Sequence, residues 1–304
     1  MNRQLQADAA LLMVSLIWGA TFVMVKQAVT LVGPLTFIGL RFTLAAMAMV
    51  LLFHRRLRAI GRRELAAGGL IGVFLFSGYA FQTAGLQYTT VSKTGFITGL
   101  YVVIVPLAAW VWLRRPPGWS ALAGVVLATA GLALLTLKMS ERVAIEYGDL
   151  LVLAGAVSFA LHITSIGGYA PRMDALALAT IQIAAAAVIA VPAALLVEAP
   201  AWPIDGSVWF AAAFTGVLAT CVALGVQTVA QVFTTPTHTA LIFATEPVFA
   251  ALFGVLLAGE WLSDRAWLGC GLIVAGMLVA ELWPRSDAAG PAAPAPALNP
   301  SRLD

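Results

Sequence analysis

The chain has 304 residues, of which 61% are apolar and 10% are charged, and its formal net charge is +3. A soluble domain carries about a quarter charged residues, so this composition and a mean hydropathy of +0.95 exclude a soluble protein and favour a membrane protein. Basic residues are not interleaved with aromatic ones, and no nucleic-acid partner is predicted. Cys221 and Cys270 lie in apolar runs and are interpreted as small buried hydrophobes.

The apolar segments predict an all-α polytopic membrane protein, because a transmembrane helix needs about 20 mainly apolar residues. The uncharged stretch 206–245 is too long for one span, and the threonine and proline cluster at 234–237 divides it. An N-terminus at 1–8 and a disordered tail at 284–304, rich in alanine and proline, are both predicted to be cytoplasmic. The ten predicted spans are 9–26, 35–53, 65–85, 93–113, 118–137, 148–167, 175–197, 207–230, 237–257 and 265–283.

The second half of the chain repeats the first. The segment 82–97 recurs at 227–242, with glutamine, threonine and isoleucine at positions 145 residues apart. The starts of the two halves align at a shift of 141 residues, which pairs Asp8 with Asp149 and Arg41 with Gln182. We therefore predict a duplicated unit of five spans. Its limits are 9–137 for the first repeat, 138–147 for the connecting loop and 148–283 for the second repeat.

Five spans per repeat is an odd number, so the second repeat is predicted to enter the membrane upside down relative to the first. With both termini cytoplasmic, eleven Lys and Arg residues fall on the cytoplasmic side and five on the other side. Inverted repeats can exchange conformations, which provides two states that open to opposite sides. The repeat-equivalent residues Lys93 and His238 are predicted at opposite mouths of the pathway.

Glu246 is the polar residue that helix packing explains least. It lies about 12 Å into predicted span 9, and Pro247 follows it, which predicts a bend in the helix. One interpretation is a protonated or internally hydrogen-bonded strut. The other is that Glu246 faces a water-filled cavity, where it contacts substrate or carries a proton. Its repeat partner is Tyr101.

Other polar and aromatic side chains share faces of the predicted spans. Thr220, Gln227 and Gln231 lie on one face of span 8, which lines either a cavity or a hydrogen-bond network between helices. Span 3 offers Tyr79 and Gln82 on the corresponding face. The candidate substrate-binding or cavity residues are Trp18, Tyr79, Gln82, Tyr101, His162, Gln227 and Glu246.

His162 and Arg41 each leave two interpretations open. His162 is either a hydrogen-bonded packing residue or a cavity residue. Arg41 lies about 9 Å inside span 2, where it either extends to the outer interface or serves as a counter-charge for an anionic group in the cavity. The chain's three histidines are spread over different predicted elements, so no metal site and no cofactor are expected.

Glycines at helical spacing predict close contacts between helices in lipid. Gly68 with Gly72, and Gly95 with Gly99, have this spacing. Further glycines in spans 5 and 10 suggest packing within the chain, with dimerisation through these spans as the alternative. They are Gly124, Gly131, Gly269 and Gly276. A monomer or a weak homodimer is expected.

The run 241–260, which contains Glu246-Pro247, resembles the second repeat of EamA-type proteins of the drug/metabolite transporter superfamily. The first repeat is similar through Trp18-Gly19, Arg41-Phe42 and the segment 95–101. The resemblance implies a ten-helix bundle of two inverted repeats around a cavity lined by spans 1, 3, 4, 6, 8 and 9. It also implies export of amino acids and related metabolites across a bacterial inner membrane. The chain departs from it where Arg114-Arg115 stands in place of a Gly-Glu turn.

These observations predict a secondary transporter that moves small metabolites by alternating access, with a small-molecule substrate and the lipid bilayer as partners. A membrane-embedded enzyme is one alternative, but it would need a converging set of catalytic side chains. A non-transporting receptor or scaffold is another, and a channel is a third. No GxxxxGK[ST] loop occurs, which argues against direct drive by ATP. The solute, the direction of transport and proton coupling stay open.

Overall fold

The computed structural model describes residues 3–58, 60–89, 91–114, 116–137, 145–198, 202–258 and 261–282. Within these ranges the fold is all-α, as predicted. The tail 284–304, most of the connecting loop 138–147, and Gly259-Glu260 lie outside the described residues. The helices are α1 (Arg3–Leu31), α2 (Pro34–Leu57), α3 (Arg62–Gly85), α4 (Val91–Gly99), α5 (Tyr101–Leu113), α6 (Trp119–Thr136), α7 (Tyr147–Tyr169), α8 (Ala175–Val197), α9 (Gly206–Gly216), α10 (Ala223–Ala230), α11 (Pro236–Phe243), α12 (Glu246–Ala258) and α13 (Asp264–Leu282).

Eight helical stretches of the described chain are long and apolar enough to cross a membrane. They coincide with predicted spans 2 to 9. Spans 4, 8 and 9 each combine two helices, namely α4 with α5, α9 with α10 and α11 with α12. Predicted spans 1 and 10 correspond to α1 and α13, helices of 29 and 19 residues that fall outside this set of eight.

The two repeats are interrupted at equivalent positions. Span 4 breaks at Leu100, between α4 and α5, and span 9 breaks at 244–245, between α11 and α12. Leu100 and Thr245 are one repeat shift of 145 residues apart. The bend expected at Pro247 therefore begins just before it, because proline fits the first turn of α12, where its missing N–H is not needed. Residues on both sides of each break face the centre of the bundle: Thr98 and Tyr101 at the first break, and Phe243 and Glu246 at the second.

Helices α6 and α13 pack against each other in antiparallel directions through glycine. A Cβ on Gly124 would lie 2.6 Å from the carbonyl oxygen of Gly276, and a Cβ on Gly131 would lie 2.5 Å from that of Gly269. The later residue of α6 meets the earlier residue of α13, so the two helices run in opposite directions. These backbones touch only because neither helix carries a side chain at the contact. The four glycines thus pack within one chain.

The remaining helices interlock the two halves. Gly78 and Gly85 of α3 lie against Phe159 and Val152 of α7, so these helices are antiparallel. Helix α3 also packs on α8, with Gly68 against Ile181. Helices of the first half therefore pack mainly on helices of the second half, and the space at their centre belongs to both.

Glu198, which follows α8, caps the N-terminus of α2. Its Oε1 accepts from the backbone N–H of Leu35 at 2.8 Å, and its Oε2 accepts from the backbone N–H and the hydroxyl of Thr36 at 2.8 Å and 2.7 Å. A carboxylate here satisfies donors that the helix leaves unpaired and complements its partial positive charge. We expect Glu198→Ala to lower the free energy of unfolding by about 1 kcal/mol.

The measurement is a thermal melt of the detergent-purified protein. Glu198→Gln is the matched control, since it keeps one acceptor oxygen but loses the charge, and it is expected to melt between the wild type and Glu198→Ala. An alanine variant as stable as the wild type would contradict the capping role.

Candidate functional site

A cavity of about 140 Å³ lies at the centre of the bundle, between the two halves of the chain. This is room for several water molecules, since one needs about 10–15 Å³ on the same measure. Its walls come from both halves, through α1, α2, α3, α7 and α10 and through the interrupted spans 4 and 9. The seven predicted cavity residues and Arg41 all line it: Trp18, Arg41, Tyr79, Gln82, Tyr101, His162, Gln227 and Glu246.

Glu246 lines the cavity because the break in span 9 starts a new helix at this residue. It is half-buried. Next to it, the Trp18 ring packs on Phe243, with ring centroids 4.9 Å apart. Helix α1 approaches α12 closely, since a Cβ on Gly19 would lie 3.1 Å from the carbonyl oxygen of Glu246. Glu246 is therefore one of the residues that line the cavity, next to α1.

The Arg41 side chain also points into the bundle. Its Nε donates to the Thr220 hydroxyl at 2.6 Å, and its Nη2 donates to the Ala219 carbonyl oxygen at 3.1 Å. The guanidinium carbon lies 5.0 Å from the centre of the Tyr79 ring, and Nη2 lies 3.5 Å from the Tyr79 hydroxyl. Arg41 is only 5% exposed. Of its two interpretations, extension to the outer interface does not fit these contacts.

A π-helical turn, Val217–Val222, joins α9 to α10 and contains two acceptors of the Arg41 guanidinium, Ala219 and Thr220. A π turn shifts the backbone hydrogen bonds by one residue and is frequent at functional sites. The Ala219 carbonyl oxygen in this turn accepts from Trp18 Nε1 at 2.8 Å as well as from Arg41. Sequence reasoning found Thr220 on the polar face but missed the turn, because no residue pattern in this stretch marks it.

His162 is both a cavity residue and the end of a buried hydrogen-bond chain. The Thr228 hydroxyl donates to the Leu224 carbonyl oxygen at 2.7 Å, so it accepts from Gln182 Nε2 at 2.9 Å. Gln182 then presents its Oε1 to His162 Nε2 at 2.8 Å, which assigns the proton to that nitrogen. Gln182 was noticed only as the repeat partner of Arg41, and its role in orienting His162 was missed.

The repeat-equivalent glutamines have different surroundings. Gln82 is half-buried and donates to the Thr98 hydroxyl at 3.0 Å. Gln227 is 1% exposed and donates to Gln231 at 3.1 Å, and Gln231 donates to the Ile163 carbonyl oxygen at 2.9 Å. Hydrogen bonds therefore tie α10 to α7 around Gln227.

Among the described residues, the lining of the cavity extends towards one face of the bundle. Val25 and Val29 near the end of α1, and Thr83 near the end of α3, line it and are half-buried. Their repeat equivalents, Ile166, Ala170 and Thr228, are fully buried. The cavity is thus continued towards the connection between α1 and α2 and closed towards the opposite face.

The two predicted mouth residues do not line the cavity but make equivalent contacts beyond it. Lys93 Nζ lies 3.2 Å from Asp149 Oδ2, and His238 Nε2 lies 3.6 Å from Asp8 Oδ1. Each contact joins one half of the chain to the other. The alignment had paired Asp8 with Asp149, yet neither was assigned to the site. The alignment of the two repeats could have found them. It pairs Asp8 with Asp149 and Lys93 with His238, so each repeat offers an acidic and a basic residue at matching positions.

Within the described ranges, no group of three or more His, Cys, Asp or Glu residues could hold a metal ion. Cys221 and Cys270 are buried free thiols. The described lining combines aliphatic and aromatic side chains with amide and hydroxyl groups, one imidazole, one carboxyl group and one guanidinium. Such a surface can bind a small organic molecule through stacking, hydrogen bonds and charge.

Comparison with known proteins gives matches over almost the whole chain. The sequence model of the EamA-like transporter family matches residues 5–137 and 146–281. An uncharacterized transporter of Archaeoglobus fulgidus is 33% identical over 280 residues, which cover 92% of this chain and 87% of that protein. The uncharacterized inner membrane transporter YedA of Escherichia coli is 25% identical over 284 residues, 90% of each chain. A solved crystal structure that is 20% identical superposes with a TM-score of 0.77, covering 91% of this chain and 97% of that one.

Proposed function

The chain belongs to the EamA-like transporter family, as its motifs predicted, and on this premise we propose that it is a secondary transporter of small metabolites. It exports amino acids or related compounds by alternating access around the central cavity. The observation that carries this proposal is the cavity itself, which both halves of the chain line and which extends towards one face only. A solute bound there would have access from one side of the membrane at a time.

The fold supports ten membrane spans in two inverted repeats of five. The antiparallel contact of α6 with α13 joins the fifth span of each repeat, and it pairs Gly124 with the repeat equivalent of Gly131. This is the contact expected at a two-fold axis in the membrane plane. Such an axis makes the exchange of the two repeats' conformations equivalent to moving the opening from one face to the other.

Repeat-equivalent residues differ in burial, and this difference supports a state in which one end of the cavity is open and the other is closed. Gln82 and Thr83 stand at the accessible end of the cavity, whereas Gln227 and Thr228 are buried at the closed end. We propose that the second state opens this closed end when α10 separates from α7, which breaks the hydrogen bond from Gln231 to the Ile163 carbonyl oxygen. Lys93 and His238 stand beyond opposite ends of the cavity and act as mouth residues.

The protein is a multi-pass membrane protein, and we propose the bacterial inner membrane as its location. The relative YedA is named as an inner membrane transporter. The arginines between α2 and α3 favour a cytoplasmic position for that connection and for both termini. The cavity described above then extends towards the outside. A monomer or weak homodimer completes the proposal.

The relatives are named as transporters, which is consistent with a protein that is not an enzyme. A membrane-embedded enzyme or a non-transporting receptor remains the alternative. Both differ from a transporter in one measurable respect: they do not change the amount of an unmodified solute across the membrane.

The test compares the metabolites in the medium of cells that overexpress the wild type with those of variants whose cavity is filled. Tryptophan at position 82 or 227 is much larger than glutamine and would occupy the space that a solute needs. We expect Gln82→Trp and Gln227→Trp each to reduce the excess of exported solute to the level of cells without the protein. Equal amounts of protein in the membrane must be verified.

Val229→Trp is the matched control, because Val229 lies two residues after Gln227 on the exposed side of α10. It is expected to export like the wild type. Unchanged export by both glutamine variants would refute a transport pathway through this cavity. The absence of any solute in excess with the wild type would refute the export function itself.

A further inference from the structure

Arg41 is a buried cation with no carboxylate at ion-pair distance in the described part of the chain, although Glu246 lines the same cavity. The ion pairs found in the described part of the chain do not include it. Its contacts are the Thr220 hydroxyl, the Ala219 carbonyl oxygen and the Tyr79 side chain, all of which are neutral. A buried charge that forms no direct ion pair is costly, and a basic residue inside a membrane protein is therefore a candidate functional residue.

The contacts leave part of the guanidinium available. Arginine has five N–H donors, and the contacts above use Nε and Nη2. The hydrogen bonds that Arg41 makes with other described residues do not use Nη1, and Arg41 lines the cavity. Two edge-to-face contacts hold the Tyr79 ring, with Phe42 at 5.4 Å and Phe159 at 5.2 Å between ring centroids. The guanidinium is therefore fixed in place before any solute arrives.

The second repeat indicates that packing does not require this charge. Gln182 occupies the position equivalent to Arg41 and is fully buried. Both polar atoms of its amide are hydrogen-bonded, Oε1 to His162 and Nε2 to Thr228. A neutral side chain therefore suffices for packing at this position of the repeat, and the cation at position 41 has another role.

Resting on the proposed transport function, we propose that Arg41 is the binding subsite for a carboxylate group of the solute. Guanidinium groups form strong, charge-assisted hydrogen bonds with carboxylates, and the two N–H groups of Nη1 are the donors left for such a bond. Arg41 is the one Lys or Arg among the described lining residues, and Glu246 adds a negative group to the same cavity. One cation and one acid favour a monocarboxylate or a zwitterion over a dianion such as a phosphate monoester.

The rest of the solute would be apolar. Trp18, Phe159 and Phe243 line the cavity as aromatic surfaces. A side chain that stacks on these rings removes apolar area from water and leaves the carboxylate at Arg41. The expected solute class is thus a small carboxylate with an aliphatic or aromatic body.

The first experiment measures the thermal stability of the detergent-purified wild type with matched pairs of compounds. The pairs are L-phenylalanine with L-phenylalaninamide, L-leucine with L-leucinamide, and 3-phenylpropionate with 3-phenylpropionamide. We expect at least one carboxylate to raise the melting temperature, while its amide does not. If no carboxylate does so, or if acids and amides act equally, the subsite is refuted. This comparison needs no variant and is independent of how a variant folds.

The second experiment assigns the effect to Arg41. Arg41→Gln is expected to weaken binding of the stabilising carboxylate by about tenfold or more, which corresponds to about 1.4 kcal/mol. Arg41→Lys keeps the positive charge but lacks the planar guanidinium, so its affinity for the carboxylate should lie between those of the wild type and Arg41→Gln. Arg265→Gln is the matched control, since Arg265 also donates to a backbone carbonyl oxygen, that of Ala133, but does not line the cavity. Wild-type affinity in Arg41→Gln would overturn the proposal.

Transport of the same compounds in proteoliposomes separates this inference from the proposed function. A carboxylate that binds through Arg41 but never crosses the membrane would refute transport and leave the subsite intact. Efficient transport of compounds without a carboxylate, unaffected by Arg41→Gln, would refute the subsite and leave transport intact.

Discussion

Replacing Glu246 with glutamine is expected to abolish the response of transport to a proton gradient. Glu246 lines the cavity at the break between α11 and α12, so its carboxyl group can contact the solute space. Glutamine has nearly the same size and keeps a carbonyl acceptor, but it cannot bind or release a proton. A solute flux that depends on proton exchange at this group should therefore lose its driving force, while the protein stays folded.

The measurement is flux into proteoliposomes of the solute that medium profiling identifies, with a pH gradient imposed in either direction. Glu64→Gln is the matched control, because Glu64 lies in the first turn of α3, outside the cavity, where it caps the backbone N–H of Gly61. Its flux should follow the gradient as the wild type does. Normal, pH-responsive flux by Glu246→Gln would end the proton-carrier role.

Adding a single methyl group at the contact of α6 with α13 is expected to destabilise the protein more than a change elsewhere in the same helices. The new Cβ of Gly131→Ala would lie 2.5 Å from the Gly269 carbonyl oxygen, far inside the usual contact distance of about 3.5–4.0 Å. Gly276→Ala would bring a Cβ to 2.6 Å from the Gly124 carbonyl oxygen. Each change should cost about 1–3 kcal/mol, because the helices must separate.

The control lies on α13 itself. A Cβ on the exposed Gly271 would meet nothing within 4 Å in the described part of the chain. Since alanine is a better helix former than glycine, Gly271→Ala should melt at the wild-type temperature or slightly above it. The comparison uses thermal melts in one detergent. If Gly131→Ala and Gly271→Ala melt alike, the close contact between α6 and α13 does not contribute to stability.

Spans 2 to 9 were predictable because the apolar length of a segment is a local property. Lipid offers no hydrogen bonds, so a crossing segment must be a long apolar helix, and each one can be recognised from its own residues. The candidate cavity residues followed from the same physics. Polar side chains avoid lipid, and in this bundle the direction away from lipid leads to the cavity that Gln82, Gln227 and Glu246 line.

Other parts of the site left no signal in the residue pattern. The Ala219 carbonyl oxygen holds both Trp18 and Arg41, yet any residue offers a backbone carbonyl, and the π turn that presents it has no motif. The break at Leu100 follows no proline or cap, and only its equivalence to the break before Glu246 would have revealed it. The contacts of Lys93 with Asp149 and of His238 with Asp8 required knowledge of which helices are neighbours.

The sequence by itself determined that the chain is a duplicated membrane protein, where eight of its apolar helices run, and which polar residues avoid lipid. Only the tertiary structure decided that Arg41 turns inward, that the glycines of α6 and α13 meet each other, and that the cavity continues past Thr83 but not past Thr228. The reason is that hydropathy acts on each segment separately. The opening of the cavity instead depends on contacts between helices of the two repeats, which are far apart in the sequence. The hydropathy of a single segment does not report such contacts.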